Sequence, residues 1–386
     1  MGAPLKTFFS PALVHRLGAE LARVYPPFDR ESFVAQASAG LDELELLARG
    51  AHLAAAMARH LPQDYPTALG LLMASLGPEH ESAELLGLGM APFFYLPHTH
   101  FVAQRGLDHF ELSMGANYEL TKRFTAEASI RPYLAREPER TLALLHQWVG
   151  DANPHVRRLV SEGTRLRLPW ASRVPWLDQH PERVVGLLER LKDDPASVVR
   201  RSVANSLNDL SKVHPELCYA ICGSWLRSAP ARRRALVAHA LRSAVKRGEA
   251  AALQLMGFGE AAAVEVEAAR FEPRRVAIGG EVELVVELRS RGTTVQELLV
   301  DVAVHFVKAG GKTSPKVFKW ARLRLPPGAH RSLRRRLSLA VYSTRVPRPG
   351  HHAVELRVNG VVYPLGGFEV DGSAPGVVGA TGRSGS

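Results

Sequence analysis

From residue 10 to about residue 256, apolar residues return every third or fourth position. LDELELLARGAHLAAAMARHL (41–61) and RTLALLHQWVG (140–150) show the spacing that lines one face of a helix. Strand signals are nearly absent from this stretch. The period changes to two at AAAVEVEAARFEPRRVAIGGEVELVVELRS (261–290), where Val becomes frequent and Gly and Pro punctuate the runs. Alternation continues in ELLVDVAVHFV, VFKWARLRL, SLRRRLSLAVY, HHAVELRVNG and VVYPLGGFEV. About seven short strands in roughly 105 residues fit an antiparallel sandwich of immunoglobulin-like type, without the cysteine pair of antibody domains. The expected organisation is a helical domain over 1–260, a β-sandwich over 264–370 and a disordered tail over 371–386.

The helical part repeats itself. TKRFTAEASI, HVRRLVSEGT and VVRRSVANSL bring Arg123, Arg158 and Arg201 into register, 35 and 43 residues apart. That period belongs to stacked helix pairs of the HEAT type, so the fold class is a mostly α chain: a HEAT-like α-solenoid followed by an all-β sandwich. DANPH and DDPAS place Asn153 and Asp194 as N-caps with Pro154 and Pro195 as first helical residues, where a missing N–H costs nothing. Four residues after the aligned arginines stand Glu127, Glu162 and Asn205, one turn along the same face, and Asp209 continues it. Three inner helices are thus expected to aim carboxylates into one groove bordered by Arg123, Arg157, Arg158, Arg165, Arg200 and Arg201. The residues alone admit a second reading, in which Arg123 with Glu127 and Arg158 with Glu162 are i,i+4 surface ion pairs of about 0.3–0.5 kcal/mol each. Trp170 likewise reads either as a core anchor or as a ligand contact beside the arginines. Trp148 sits in a regular amphipathic helix and is expected in the core.

Composition changes this picture only through charge. Hydrophobic residues at 46% and charged residues at 23% are ordinary for a globular chain of 386 residues. The 49 Lys and Arg against 38 Asp and Glu give a net charge of +11, which favours a polyanionic partner, nucleic acid first. The excess concentrates between Asp301 and Glu355, where 53 residues carry twelve cations and no acid. KAGGKTSPK, with Lys308, Lys312 and Lys316, reads as a Gly-rich loop able to meet phosphate, and Lys319 follows it. Cys218 and Cys222, one helical turn apart, can neither staple a large protein nor complete a zinc site, and read as buried thiols. The N-terminus lacks the succession of a signal peptide and the longest apolar run, from residue 85, is too short to span a bilayer, so a cytoplasmic protein is expected. GLGMAP at residue 87 follows no strand and reads as a helix break rather than a dinucleotide motif. HTH at 98–100 reads as a loop without metal.

HVRRLVSEGTRLRLPWA, followed about twenty residues later by LKDDPASVVRRSVANSLNDLSKVHPEL, resembles the bacterial DNA alkylation repair glycosylases built on HEAT-like repeats. VAVHFVKAGGKTSPKVFKW resembles the immunoglobulin-like C-terminal domain of the AlkC branch, which the AlkD branch lacks. The resemblance covers residues 1–370 in outline. It implies hydrolysis of the N-glycosidic bond of cationic alkylated bases, 3-methyladenine and 3-methylcytosine, in duplex DNA for base excision repair, with the base still stacked. It further implies a catalytic pocket of Glu127, Glu162, Trp170 and Asp209, with Arg158 and Arg165 holding DNA beside it. The partner expected is duplex DNA with alkylated bases, bound by a monomer without metal, cofactor or membrane.

The chemistry suits these residues. A base methylated at N3 already carries positive charge and leaves without being protonated, so no general acid is needed. Carboxylates stabilise the oxocarbenium-like sugar and can orient water, and an indole face attracts a cation. The alternative from another class is a non-catalytic HEAT scaffold that binds nucleic acid or an acidic protein.

Overall fold

The computed structural model describes residues 5–79, 91–259, 261–341 and 346–372. It divides into two compact units, residues 1–240 and 241–386. The expected tail over 371–386 and the GLGMAP motif lie wholly or largely outside the described residues.

The first unit contains α1 (Pro11–Val24), α2 (Arg30–Ser38), α3 (Leu46–His60), α4 (Tyr65–Ala74), α5 (Leu96–Arg105), α6 (Phe110–Thr121) and α7 (Arg131–Arg136). It continues with α8 (Pro138–Trp148), α9 (Pro154–Gly163), α10 (Pro175–Gln179), α11 (Pro181–Leu191), α12 (Ser197–Val213), α13 (Pro215–Leu226) and α14 (Ala231–Ala240). Proline opens α8, α9, α10, α11 and α13, the position where its fixed φ is already helical. From α6 onward the helices form two layers: α6, α9, α12 and α14 pack side by side, while α11 and α13 pack behind α9, α12 and α14. Val156, Leu159 and Val160 of α9, Leu187 and Leu191 of α11, and Val199, Val203 and Leu207 of α12 fill the space between. This is the stacked-pair architecture that the repeat predicts.

One device recurs along the first layer. Arg157, Arg200 and Arg234 are each the fourth residue of their helix, and each turns back to donate to carbonyls of the loop before it. Arg157 Nη1 reaches Asp151 and Ala152 at 2.8 and 3.0 Å, and Arg200 Nη1 reaches Asp194 and Pro195 at 2.6 and 2.8 Å. Arg234 does the same to Ala229. Loop carbonyls without helix or sheet partners are satisfied this way.

Two local expectations are corrected. Asn153 caps α9 as expected, accepting from His155 N at 2.8 Å. Asp194 does not cap α12: the cap is Ala196, and the Asp194 carboxylate accepts the Ala196 N–H at 2.8 Å and the Arg157 guanidinium at 2.6 Å. Arg123 and Glu127 do not share a helix either. α6 ends at Thr121, because Arg123 folds back onto Glu119, donating to its carbonyl at 2.8 Å and its carboxylate at 3.0 Å. Residues 122–130 are turns and irregular chain.

The second unit starts with α15 (Arg242–Arg247) and α16 (Ala250–Leu255), which group with the strands. The strands are β1 (Val264–Glu272), β2 (Arg275–Ala277), β3 (Glu281–Ser290), β4 (Gln296–Val307), β5 (Thr313–Leu325), β6 (His330–Ser338), β7 (Gly350–Val358) and β8 (Val361–Asp371). They form a β1-β3-β6 sheet and a β2-β8-β7-β4-β5 sheet, antiparallel except for β2 with β8. Val282, Leu284, Val286 and Leu288 of β3 join Leu298, Val300, Val302 and Val304 of β4 in one core, as period two requires. Asn359 and Gly360, at φ +46° and +84°, make the two-residue turn from β7 to β8.

Candidate active site

Helix α9 carries Arg158 and Glu162 one turn apart, and α12 carries Ser202 and Asp209 two turns apart on one face. The turn of residues 125–130 brings Thr125 and Glu127 to the end of α9. Gly163 allows that approach: a Cβ there would stand 2.3 Å from Ile130 Cδ1. The Ile130 side chain, packed over the position a Cβ would take, therefore favours the glycine that follows Glu162.

The side chains form one connected network. Arg158 Nη2 lies 3.0 Å from Glu127 Oε2 and 3.9 Å from Glu162 Oε2, and its Nη1 donates to Thr125 Oγ1 at 3.3 Å. The Thr125 hydroxyl also donates to Glu127. Arg165 bridges the other two acids, Nη1 to Glu162 Oε1 at 2.6 Å and Nε to Asp209 Oδ2 at 2.8 Å. Ser202 Oγ donates to Glu162 Oε2 at 2.5 Å, and Lys212 Nζ to Asp209 Oδ1 at 3.2 Å. Three carboxylates thus meet three cations, Arg158, Arg165 and Lys212, so formal charges balance within the cluster. Glu162 and Asp209 are buried, whereas the Glu127 and Arg158 side chains keep 21% and 20% of their surface exposed. Burial works against the Arg165 charge, but the Asp209 and Glu162 carboxylates outweigh it and hold its pKa above the ordinary arginine value.

Trp170 stands on the loop between α9 and α10 with φ +63°, 65% exposed. It is therefore no core anchor, whereas Trp148 is buried as expected. A bulky side chain in the left-handed region is strained by roughly 1–2 kcal/mol. The loop is held around it by buried Arg131, which donates to the carbonyls of Ser172, Gly163 and Arg165 at 2.5, 2.8 and 3.0 Å. Burial pushes the Arg131 pKa down to about 10, still well above neutrality.

The structure brings Glu127, Arg158, Glu162, Arg165 and Asp209 together. Asn205 is not among them: its Oδ1 lies 3.3 Å from His239 Nε2. Ser202 takes the place expected of it, and its spacing of seven from Asp209 is a helical signal that could have located it. Lys212, three residues after Asp209 on α12, carries the same kind of signal, whereas Thr125 carries none and is supplied by the structure alone. Arg123, Arg157 and Arg200 are engaged with carbonyls or carboxylates of their own unit, whereas Arg201 is exposed. HTH lies on α5 rather than in a loop, and burial lowers the His98 pKa to about 3. Among the described residues no group of three or more His, Cys, Asp or Glu could hold a metal ion, and no helix is long and apolar enough to cross a membrane. Cys218 and Cys222 are buried free thiols.

In the second unit, Lys308 and Lys312 are exposed on the β4–β5 turn, and Lys316 and Lys319 on β5. β5 and β6 are edge strands of their two sheets and touch, with Trp320 donating to Arg334 O and Arg335 to Lys319 O. The acid-free stretch is thus folded into one basic sandwich edge. Arg345 lies outside the described residues.

Stacked helix pairs with a neutralised three-carboxylate cluster, joined to a basic immunoglobulin-like sandwich, define a nucleic-acid-processing class. Residues 121–254 match the model of the "DNA alkylation repair enzyme" family, and residues 265–372 that of the "Uncharacterised protein YhaZ, C-terminal Ig-like domain". The uncharacterized protein YhaZ of Bacillus subtilis is 32% identical over 369 residues, 95% of this chain and 99% of the relative. The alkylpurine DNA glycosylase AlkC of Pseudomonas fluorescens, solved bound to DNA containing an abasic site analog, superposes with a TM-score of 0.85 and 37% identity. That match covers 96% of this chain and all of the solved one. The chain belongs to the AlkC family of DNA alkylation repair glycosylases.

Proposed function

We propose that the chain is a monofunctional DNA glycosylase that hydrolyses the N-glycosidic bond of cationic alkylated bases, 3-methyladenine and 3-methylcytosine, in duplex DNA. The observation that carries the reading is the cluster of three carboxylates, each bonded to an arginine or a lysine, in a chain that matches a DNA-bound alkylpurine glycosylase over nearly all its length. A general acid needs a carboxyl that keeps its proton. Each of these acids instead faces an arginine or a lysine, an arrangement that suits a leaving group already cationic and in no need of a proton.

In this reading the bond to the base breaks first, its electron pair passing to the cationic base, which leaves neutral. The deoxyribose gains positive charge, and Glu127, at the exposed side of the cluster, stabilises it. Asp209 and Glu162 hold the field, and a carboxylate accepts a proton from the water that attacks C1′. The Trp170 face meets the cationic nucleoside, worth about 1–2 kcal/mol when desolvated. The base stays stacked, since carboxylates aimed at a sugar require no pocket for an extruded base. Arg158, a fifth of its side chain exposed, meets the backbone beside the lesion, while buried Arg165 holds Glu162 and Asp209 in place. Arg201 and the sandwich cations Lys308, Lys312, Lys316 and Lys319 meet other phosphates of the duplex, while Arg123, Arg157 and Arg200 shape the surface through their bonds to loop carbonyls. The protein acts as a monomer in the cytoplasm and uses no cofactor.

The test is incubation with methylated duplex DNA and chromatography of the released bases. Free 3-methyladenine or 3-methylcytosine is expected; DNA binding without any released base would refute the enzyme.

A further inference from the structure

A groove between α12 and α14 takes no part in the carboxylate cluster. Arg200 and Arg201 of α12 and Arg232 and His239 of α14 line a cavity of about 200 Å³, and no acid lines it. The rest of its lining, Ala204, Ala235 and Leu236, is small or apolar. Arg201, Arg232 and His239 are exposed. Asp193, whose carboxyl feels the charge of Arg232, is already ion-paired with Arg233.

The repeat explains how the groove acquires its charge. In α9, α12 and α14 the fourth residue is held back on its loop, so the charge of the groove depends on the residues around it. In α9 the fifth residue is Arg158, which pairs with Glu127. In α12 it is Arg201, and Asn205, one turn on, meets His239 rather than competing for a cation. In α14 the fifth residue is Ala235, which leaves the floor low, and Arg232 supplies the charge from one turn earlier.

We infer that this groove seats one phosphodiester of a DNA strand, with guanidinium groups on its oxygens and the adjoining deoxyribose against Ala204 and Ala235. Arginine's planar fork matches phosphate oxygens, and an apolar wall beside it suits a sugar edge and not a free, fully hydrated anion. Arg201 directly precedes Ser202, which holds Glu162, and consecutive side chains on a helix diverge by about 100°. The seat therefore adjoins the carboxylate cluster and is distinct from it, so a strand held there enters the cluster from a fixed side. The inference rests on the glycosylase reading, since only a DNA-acting chain needs such a seat.

Arg232 tests it, being exposed and away from the interactions that hold the fold. Binding of the full chain to fluorescent duplex DNA is measured across a salt series for wild type, Arg232→Ala, Arg232→Lys and Arg232→Glu. Arg232→Ala should weaken binding about fivefold and make the salt slope shallower by about 0.9, the value of a single neutralised phosphate. Arg232→Glu should weaken it further, and Arg232→Lys should restore most of the affinity. Unchanged affinity and slope in both Arg232→Ala and Arg232→Glu would overturn the seat. A free-anion site is the other source of the same chemistry: inorganic phosphate at matched ionic strength would then raise the wild-type Tm but not that of Arg232→Glu, with DNA affinity equal in both, and this too would overturn it. Base release by wild type is assayed alongside. A wild type that binds DNA but releases no base refutes the chemistry, whereas an active wild type with unaltered Arg232→Glu binding refutes the seat alone.

Discussion

The helical cluster and the sandwich edge are both rich in arginine and lysine, yet they use charge in opposite ways. In the cluster, Arg165 is buried between Glu162 and Asp209, and every acid has a cation within hydrogen-bonding distance of it. On the sandwich edge, Lys308, Lys312, Lys316 and Lys319 stand exposed, and the nearby acids are few: Glu297 pairs with Arg324 at 2.8 Å and Glu283 lies 4.0 Å from Arg334. Buried charges must be matched because desolvation is expensive, so the cluster is rigid and nearly neutral. Exposed charges need no match, so the edge keeps a field that reaches a polyanion. Fixed geometry is what bond-breaking needs, and an unspent field is what holding a strand needs.

Breaking the cluster should have the largest effects. Arg165→Ala leaves Glu162 and Asp209 buried without their shared cation, and an expected loss of about 3–5 kcal/mol should appear as a lower denaturation midpoint. Asp209→Asn and Glu162→Gln keep shape and much of the hydrogen bonding while removing charge. Each should cut base release by about 10²–10³-fold in single-turnover assays, and a smaller loss than tenfold would mean that these acids are structural. Ser202→Ala is milder. The hydroxyl does not touch substrate; it fixes which way Glu162 Oε2 points, so kcat should fall about tenfold with KM unaltered, and Ser202→Thr should recover part of it. An equal fall in stability and activity would assign Ser202 to packing alone.

The two regions also differ in how far they can be read from the sequence. The sandwich, the helical repeat, the Asn153 cap and the grouping of Arg158, Glu162, Arg165 and Asp209 all follow from periodicities that survive folding. Glu127 reaches the cluster by a different route from the one its spacing implies. Its register with Arg123 requires a continuous helix, but α6 ends at Thr121, and Glu127 arrives instead on a turn beside Gly163. A carboxylate on a turn leaves no periodic trace. The first arginine of each pair is also opaque: Arg157 and Arg158 are neighbours of one type, and only the helix start decides that the former turns back to the loop and the latter outward. Charge composition cannot separate a stapling arginine from a binding one.

Trp170 joins the two ways of using a residue, since Arg131 ties its loop to the backbone of Gly163 and Arg165 while its side chain is left exposed. Its left-handed backbone is costly for any residue with a β-carbon. Trp170→Gly should therefore keep or raise the Tm, a gain of up to about 1 kcal/mol after glycine's own entropy cost, while base release falls about tenfold with the lost ring. Trp170→Ala keeps the strain and loses the ring, so it should lose activity without the gain. Equal Tm for the two variants would remove strain as the cause.

The smallest effects on stability are expected on the sandwich edge, where the lysines stand exposed and their loss leaves no buried charge uncompensated. Lys316→Glu with Lys319→Glu should move unfolding by less than about 0.5 kcal/mol, as exposed substitutions do. The same pair should weaken DNA binding at low salt and make the salt slope shallower by about 2, one unit for each phosphate no longer neutralised. The contrast with Arg165→Ala is the decisive one: a large stability loss on the edge would mean that its cations are bound into the fold after all. An unaltered salt slope would mean that the edge faces something other than a nucleic acid backbone. Only a change in binding without a change in stability fits a field left unspent by the fold.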